Sequence, residues 1–249
     1  MSRRTYNREN KGSVRFSKLT LHKLDWLEWT TIGLAIWFFI YPVPYKILLG
    51  VLLIIPILGL TLNGLHKPSM ASLVKISVQN GEDKYDVADF IDIAAWVILV
   101  RVLIDYTFES FYSMIIPGTI AFAIILLILF FTHQRIEESN RNKCWIYTSL
   151  IFNVCLYSYA GTYAANCAYD YSEPVVYKTA ILDKYTYTSR KGGKRYYLEV
   201  APWGHHYDKE KIKVSLTQYN ETSVGDTINI DLKSGLFNIP WYFIETENN

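Results

Sequence analysis

The sequence is poor in cysteine and contains none of the short motifs that would indicate a catalytic activity. Its three cysteines, Cys144, Cys155 and Cys167, lie in or beside one apolar segment. On a helix the last two would stand about 18 Å apart, at 1.5 Å per residue, which is beyond the reach of a disulfide bond. No Gly-x-Ser-x-Gly, P-loop, His-Glu-x-x-His or dinucleotide-binding pattern occurs in the chain. We therefore expect no disulfides in the C-terminal region, no cofactor and no enzymatic activity.

The chain also has little net charge and shows no cleavable signal peptide. Its formal charge of +2 at pH 7 is too small to imply a polyanionic partner. The first apolar run begins near Trp26, after a long charged segment, and ends at Pro42 without a small-residue cleavage site. We expect this run to remain in the protein as a membrane anchor.

Long apolar runs are abundant, and nearly all of them fall between residues 26 and 166. A bilayer core of about 30 Å is crossed by roughly 20 apolar residues in a helix. Five windows approach this length: residues 26–41, 45–65, 87–108, 115–132 and 145–166. The sequence thus predicts a bundle of five transmembrane helices over residues 26–166. A cytoplasmic basic tail with an interfacial helix is predicted to precede it, over residues 1–25.

The loops between these windows orient the predicted bundle. Lys and Arg are frequent before the first window, between the second and third, and between the fourth and fifth, but are absent from residues 106–114. Basic loops face the cytoplasm. If five helices cross the membrane one after another, all three basic segments lie on the same side. We expect a multi-pass protein of the cytoplasmic membrane, with its N-terminus in the cytoplasm and residues 173–249 outside.

Four polar side chains within the windows form the predicted functional site. Arg101 is the basic residue deepest in a predicted span, and Asp105 lies one helical turn later on the same face. The fifth window contributes Asn153 and Tyr157. Charged groups inside a membrane are costly and are therefore functional candidates. These residues predict an ion path or ligand site, and the alternative is a structural pair that holds the third helix to its neighbours.

The fifth window is also rich in small residues. Gly161 and Ala165 are four positions apart, as are Ala160 and Ala164. Such spacing allows two helix backbones to approach closely. We expect this helix at the centre of the bundle or at the seam of a homo-oligomer.

In residues 173–249 the sequence pattern alternates with a period of two residues. The segments between turn signals are rich in Val, Tyr and Thr. This pattern predicts five short strands, forming a small all-β domain that is a five-stranded antiparallel barrel or sandwich. Basic and acidic residues are equal in number there, which argues against nucleic-acid binding. The predicted partner of this domain is instead a protein, a lipid or another component of the envelope.

The loop over residues 67–86 allows two predictions. It contains a segment able to form a short helix, Ala-Ser-Leu-Val-Lys-Ile-Ser over residues 71–77. It also contains an Asn-Gly pair at residues 80–81, which is a strong signal for a β-hairpin turn.

Two sets of titratable residues are candidate chemical sites. His205, His206 and Asp208 suggest a metal site, but adjacent histidines in one turn rarely chelate one ion without ligands from elsewhere. No metal site is therefore predicted. Asp105 and Glu109 would serve a membrane enzyme if they converged with a His or Cys.

Two C-terminal segments carry a resemblance. Residues 224–228 read Val-Gly-Asp-Thr-Ile, and residues 235–242 read Gly-Leu-Phe-Asn-Ile-Pro-Trp-Tyr. In these features the chain resembles uncharacterised multi-pass membrane proteins of bacteria, in which a few helices precede a small β domain. The resemblance covers the last third of the chain and implies a bacterial cytoplasmic membrane, without implying an activity or site residues.

The sequence leaves two functions open. The leading prediction is a non-enzymatic scaffold or interaction protein whose outer β domain binds an envelope partner. The alternative is a subunit of an oligomeric channel or transporter that uses Arg101, Asp105 and the polar fifth helix.

Overall fold

The computed structural model describes residues 26–79, 82–136, 143–188 and 193–245, with the backbone alone described over 75–79 and 82–87. The chain divides into two compact units. The helical unit comprises Met1–Asp105 and Tyr112–Tyr169, and the β unit comprises Tyr106–Phe111 and Asp170–Asn249. The predicted interfacial helix lies outside the described residues, as does the Asn-Gly turn at 80–81.

The described residues contain six α-helices: α1 (Trp26–Ile40), α2 (Tyr45–Gly64), α3 (Asp89–Asp105), α4 (Ile115–Thr132), α5 (Lys143–Ala168) and α6 (Leu216–Glu221). The break between α1 and α2 contains Pro42 and Pro44, because proline removes a hydrogen bond from a helix interior. Pro117 lies in the first turn of α4, where a missing N–H costs nothing.

The structure contradicts the predicted bundle of five transmembrane helices. Among the described residues two helices are long and apolar enough to cross a membrane, namely α2 and, with the 3-10 turn before it, α4. Over the described residues, helix α1 is about 22 Å long at 1.5 Å per residue, which is short of the bilayer core. Helix α3 has 17 residues and includes three aspartates and one arginine. Helix α5 is long enough, but polar residues such as Asn153 and Ser158 interrupt its apolar sequence.

Helix α5 lies at the centre of the helical unit, where it packs against α2, α3 and α4. Its small residues allow this packing. A Cβ atom on Gly161 would stand 2.8 Å from Leu53 Cδ2 on α2. Ala160 and Ala164 are also buried within the chain. Of the two roles predicted for this helix, the structure supports the central one.

Polar side chains connect the ends of α2 and α4. Asn63 Nδ2 donates to Ser72 Oγ at 2.9 Å and lies 3.0 Å from His133 Nε2. With Nε2 as an acceptor, the ring carries its proton on Nδ1, which lies 2.7 Å from Thr132 Oγ1. Neutral His133 thus satisfies both neighbours in a site where Asn63 and His133 are buried.

The loop after α2 forms the hairpin of the two predicted structures, and the helix predicted over residues 71–77 is reduced to a 3-10 turn, because residues 74–77 belong to a strand. A short 3-10 helix, Met70–Leu73, is followed by an antiparallel hairpin of β1 (Val74–Gln79) and β2 (Glu82–Val87). The side chain of Ser69 accepts a hydrogen bond from the Ala71 amide and caps the 3-10 helix.

The β unit is an antiparallel sheet with strand order β3-β8-β7-β4-β5-β6. The strands are β3 (Thr107–Phe108), β4 (Val175–Thr188), β5 (Lys194–Val200), β6 (Glu210–Val214), β7 (Thr227–Lys233) and β8 (Trp241–Glu245). The predicted five-stranded barrel or sandwich is therefore wrong, because the sheet has six strands and curls into an open half-barrel. The sixth strand, β3, comes from the segment between α3 and α4.

One predicted strand is shorter than the sequence pattern suggested. Alternating residues from Lys211 to Tyr219 predict one strand, but β6 ends at Val214 and α6 follows. Ser215 and Gln218 form a capping box, in which each side chain bonds to the backbone N–H of the other residue. This box starts a helix where alternation alone predicted a continuing strand.

Strand β4 produces the curl of the half-barrel because it pairs with different strands along its length. Residues 175–180 pair with β7, and Ile181 onward pairs with β5. The register shifts between Ile181 and Asp183, which is the mark of a β-bulge, and a bulge bends its strand. The concave side holds the apolar core, whose fully buried members include Leu198, Val200 and Ile230.

Candidate functional site

The four polar residues predicted as an intramembrane site do not form one cluster. Arg101 Nε lies 2.7 Å from Asp105 Oδ2, so the predicted pair within α3 exists. Asn153 Nδ2 instead donates to the Ser149 carbonyl of its own helix at 3.2 Å. The Tyr157 hydroxyl donates to the carbonyl of Leu53 on α2. No hydrogen bond or ion pair among the described residues joins Asn153 or Tyr157 to the Arg101–Asp105 pair.

A different group of titratable side chains lies together in the β unit, around His206 in the turn between β5 and β6. The ring of His206 stacks on Trp203, with 4.6 Å between ring centroids and 27° between planes. Its Nδ1 lies 3.5 Å from Glu210 Oε2 and its Nε2 lies 4.0 Å from Glu109 Oε1. Nε2 is buried and makes no hydrogen bond among the described residues. We call Glu109, Trp203, His206, Glu210 and Tyr242 the histidine cluster.

Trp203 and Tyr242 pack together beside the carboxylate of Glu210. The indole N–H of Trp203 donates to Glu210 Oε2 at 3.1 Å. Tyr242 packs edge-on against Trp203 at 5.2 Å. Burial raises the pKa of Tyr242, and the negative charges of Glu210 and Glu109 raise it further. The cluster therefore concentrates negative charge around one imidazole and one phenol.

The sequence identified two members of the histidine cluster separately and missed the group. The sequence grouped Glu109 with Asp105, and His206 with His205 and Asp208. The structure instead places Glu109 near His206. The described residues contain no group of three or more His, Cys, Asp or Glu side chains arranged to hold a metal ion. The spacing Trp-x-x-His-x-x-x-Glu over residues 203–210 is the local signal that was available.

The convex side of β4, β5 and β6 is rich in tyrosine and basic residues. Cross-strand pairing places Tyr185 beside Tyr197 and Tyr187 beside Arg195. Tyr197 in turn lies beside Lys213 of β6. These residues alternate with the buried core positions and therefore share the face that points away from the core. We call this set of five residues the tyrosine face.

An ion pair between exposed Lys209 and buried Glu199 supports the tyrosine face. Glu199 Oε1 lies 2.6 Å from Lys209 Nζ, and the Tyr185 hydroxyl donates to Glu199 Oε2 at 2.6 Å. The hydrogen bonds from Lys209 and Tyr185 lower the pKa of Glu199, and the hydrogen bond to Glu199 raises the pKa of Tyr185. Lys211 Nζ lies 4.3 Å from the Tyr185 ring centroid, a cation–π contact. These contacts fix the orientation of Tyr185.

Asp170 connects the start of the β unit to its C-terminal segment. Its Oδ1 accepts from the Ser172 amide at 2.8 Å, and its Oδ2 accepts from the Gly235 amide at 3.1 Å and the Trp241 indole at 3.0 Å. Gly235 has φ +76°, a conformation that glycine adopts without strain. Burial raises the pKa of Asp170, but the hydrogen bonds from Ser172 and Trp241 and the charge of Lys233 outweigh it, so the pKa is lowered.

Comparison of the chain with protein-family models, with curated proteins and with solved structures found no match. The resemblance to bacterial multi-pass membrane proteins therefore stays a prediction. The contacts of Asp170 give part of the segment over residues 235–242 a structural role, because Gly235 and Trp241 both donate to that carboxylate.

Proposed function

We propose that the chain is a membrane protein that acts by binding, with its β unit presenting the tyrosine face to a partner protein. The observation that carries the membrane part is the exposed apolar surface of α4. Only 17% of its most apolar window is buried within the protein, against 50% for α2. Lipid is the environment that makes such a surface favourable.

The size of this surface decides between lipid and water. Seven large apolar side chains of α4 are at least half exposed: Ile115, Ile116, Ile120, Ile124, Leu127, Phe130 and Phe131. Fully burying one such side chain is favourable by about 1.5–3 kcal/mol, so leaving this set half exposed to water costs roughly 5–10 kcal/mol. That cost is comparable with the whole stability of a typical domain, and contact with lipid removes it.

The tyrosine face supports the binding part of the proposal. Tyrosine and arginine are enriched at protein–protein interfaces, because a rigid amphipathic ring gives contact area at a small entropy cost. Tyr187 is 63% exposed. It stands on the part of β4 whose backbone pairs with β5, where it lies opposite Arg195. The surface is therefore preorganised, which lowers the entropic cost of binding.

Photocrosslinking in cells tests the partner. With a benzoylphenylalanine at position 187 or 197, we expect both positions of the full-length protein to give the same crosslinked species. Because these side chains lie on adjacent strands of one face, a single bound protein would contact both. The readout is an immunoblot of the purified full-length protein, followed by mass spectrometry of the shifted band.

Tyr207 provides the matched control, since it is also a tyrosine, is 90% exposed and lies on the turn between β5 and β6 rather than on the tyrosine face. A benzoylphenylalanine there should not give the shared species. Identical crosslinks from all three positions, or none from positions 187 and 197, would remove the basis of the binding proposal.

The side of the membrane on which the β unit lies stays a prediction. Its placement outside the cell was predicted from five membrane crossings, and the structure contradicts that number. Crossings by α2 and α4 alone would leave both ends of the chain on one side, whereas an outer β unit requires an odd number of crossings. Labelling of the β unit in intact cells decides between these arrangements.

A further inference from the structure

The histidine cluster combines side chains from the two edges of the half-barrel. Strands β3 and β6 are the first and last in the strand order β3-β8-β7-β4-β5-β6. Glu109 follows β3, and its amide donates to the Pro240 carbonyl at 3.3 Å, continuing the β3–β8 pairing. Glu210 is the first residue of β6 and pairs with Val200 of β5. Each edge therefore supplies one carboxylate.

His206 lies between these two carboxylates. Its backbone amide donates to the Trp203 carbonyl at 2.8 Å, which fixes the turn, and Trp203 covers one face of its ring. Nδ1 is directed at the β6 carboxylate and Nε2 at the β3 carboxylate, at 3.5 and 4.0 Å. Both distances exceed ordinary hydrogen-bond lengths, so a small closing movement would turn each contact into a direct bond.

We propose that His206 is a proton-responsive clasp that draws the β3 and β6 edges of the half-barrel together when its imidazole is protonated. Neutral imidazole has one N–H and can bond only one of the two carboxylates as a donor. Protonated imidazole has two N–H groups and a positive charge, so it bonds both. Histidine is the side chain whose charge changes between pH 5 and 8, while glutamate stays ionised above about pH 5.

The side chains that face His206 are two glutamates and one tyrosine, so the histidine is the titrating link between the two edges. Glu109 comes from the β3 segment, Glu210 from β6, and Tyr242 from β8, where burial and the charges of both glutamates raise its pKa. A link that does not titrate in this range is the Gln218 side chain of α6, which donates to the Ile244 carbonyl of β8 at 3.1 Å. This hydrogen bond is present at neutral pH, and the bonds from His206 to Glu109 and Glu210 add to it in acid.

Hydrogen–deuterium exchange of the full-length protein in detergent tests the clasp. Peptides covering residues 106–111 and 209–214 are compared at pH 7.5 and 5.5, with rates corrected for intrinsic exchange. Protonated His206 forms two partly exposed ion pairs, with Glu109 and Glu210. We therefore expect exchange in these peptides to be about fivefold slower at pH 5.5 than at pH 7.5. The variant H206Q should lose this dependence, because glutamine does not titrate. The variant E109Q should retain about half of it.

His205→Gln is the matched control, since it removes the neighbouring exposed histidine and should keep the full pH response. Equal corrected exchange at both pH values in the wild-type protein would overturn the clasp. A fivefold response retained in H206Q would overturn it as well. If H206Q does not fold, E109Q decides, and an undiminished response in that variant contradicts the proposal.

Discussion

Replacing Asp170 with alanine is expected to lower the free energy of unfolding of the β unit by about 3 kcal/mol. The side chain accepts hydrogen bonds from the Ser172 amide, the Gly235 amide and the Trp241 indole. Alanine leaves all three donors without this acceptor in a site where Asp170 is 8% exposed. Each such loss costs about 1–3 kcal/mol when no water replaces the bond. The melting temperature, measured by tryptophan fluorescence, should therefore fall by about 10–20 °C.

The control for this prediction is Asp208→Ala, which removes an exposed aspartate of the same unit and should leave the melting temperature almost unchanged. Asparagine at position 170 should lie between alanine and the wild type, because it keeps one acceptor oxygen. A D170A protein that melts within two degrees of the wild type, about half a kcal/mol, would contradict the anchoring role.

The same carboxylate predicts an acid-sensitive β unit. Because the folded pKa of Asp170 is lowered, its stabilisation is present above the ordinary value of 3.8 and is lost as the pH falls below that value. This dependence should be absent from D170A.

Two arginines on the exposed side of α4 are expected to prevent stable membrane insertion. Ile120 and Ile124 are 56% and 52% exposed and lie one turn apart near the middle of the helix. An arginine at the centre of a spanning helix costs about 2.5–3.5 kcal/mol on insertion scales, so the double variant loses roughly 5–7 kcal/mol. We expect its amount in carbonate-washed membranes to fall at least tenfold, measured by quantitative immunoblotting.

The matched control places the same two charges on the β unit. Val224 and Leu236 are 58% and 51% exposed, and arginine at both positions should leave membrane recovery unchanged. If α4 faced water instead of lipid, arginines at 120 and 124 would be neutral or would improve solubility. Normal recovery of that variant would therefore contradict the lipid-facing assignment.

Local signals predicted the parts of the fold that depend on neighbouring residues. Pro42 and Pro44 placed the break between α1 and α2, and the period-two pattern located strands β4 and β7 closely. Counting apolar residues was less successful, because α3 includes charged residues and α5 is interrupted by polar ones. The capping box after β6 reads Ser-x-x-Gln in the sequence, a helix-start signal that the alternating pattern of β6 conceals.

Features that depend on distant contacts could not be read from the sequence. Strand β3 has two residues and no pattern of its own, and it exists because β8 pairs with it. Glu109 and Glu210 are separated by about a hundred residues, and only the strand order brings both near His206. The role of Asp170 depends in the same way on Gly235 and Trp241. Secondary structure was therefore more predictable here than the candidate sites.

The central claim is that the exposed side of α4 is solvated by lipid, and cysteine labelling measures this directly. In a background with Cys144, Cys155 and Cys167 changed to alanine, single cysteines are placed at positions 120, 124 and 187. A membrane-impermeant maleimide is applied to opened native membranes, in which both water-exposed sides are reached. In intact cells the cysteine at 187 also reports on which side the β unit lies.

We predict that the cysteine at 187 is labelled in opened membranes, whereas those at 120 and 124 react only after denaturation. Labelling of positions 120 and 124 in native membranes as fast as position 187 would show that water covers this side of α4. That result would contradict the membrane assignment.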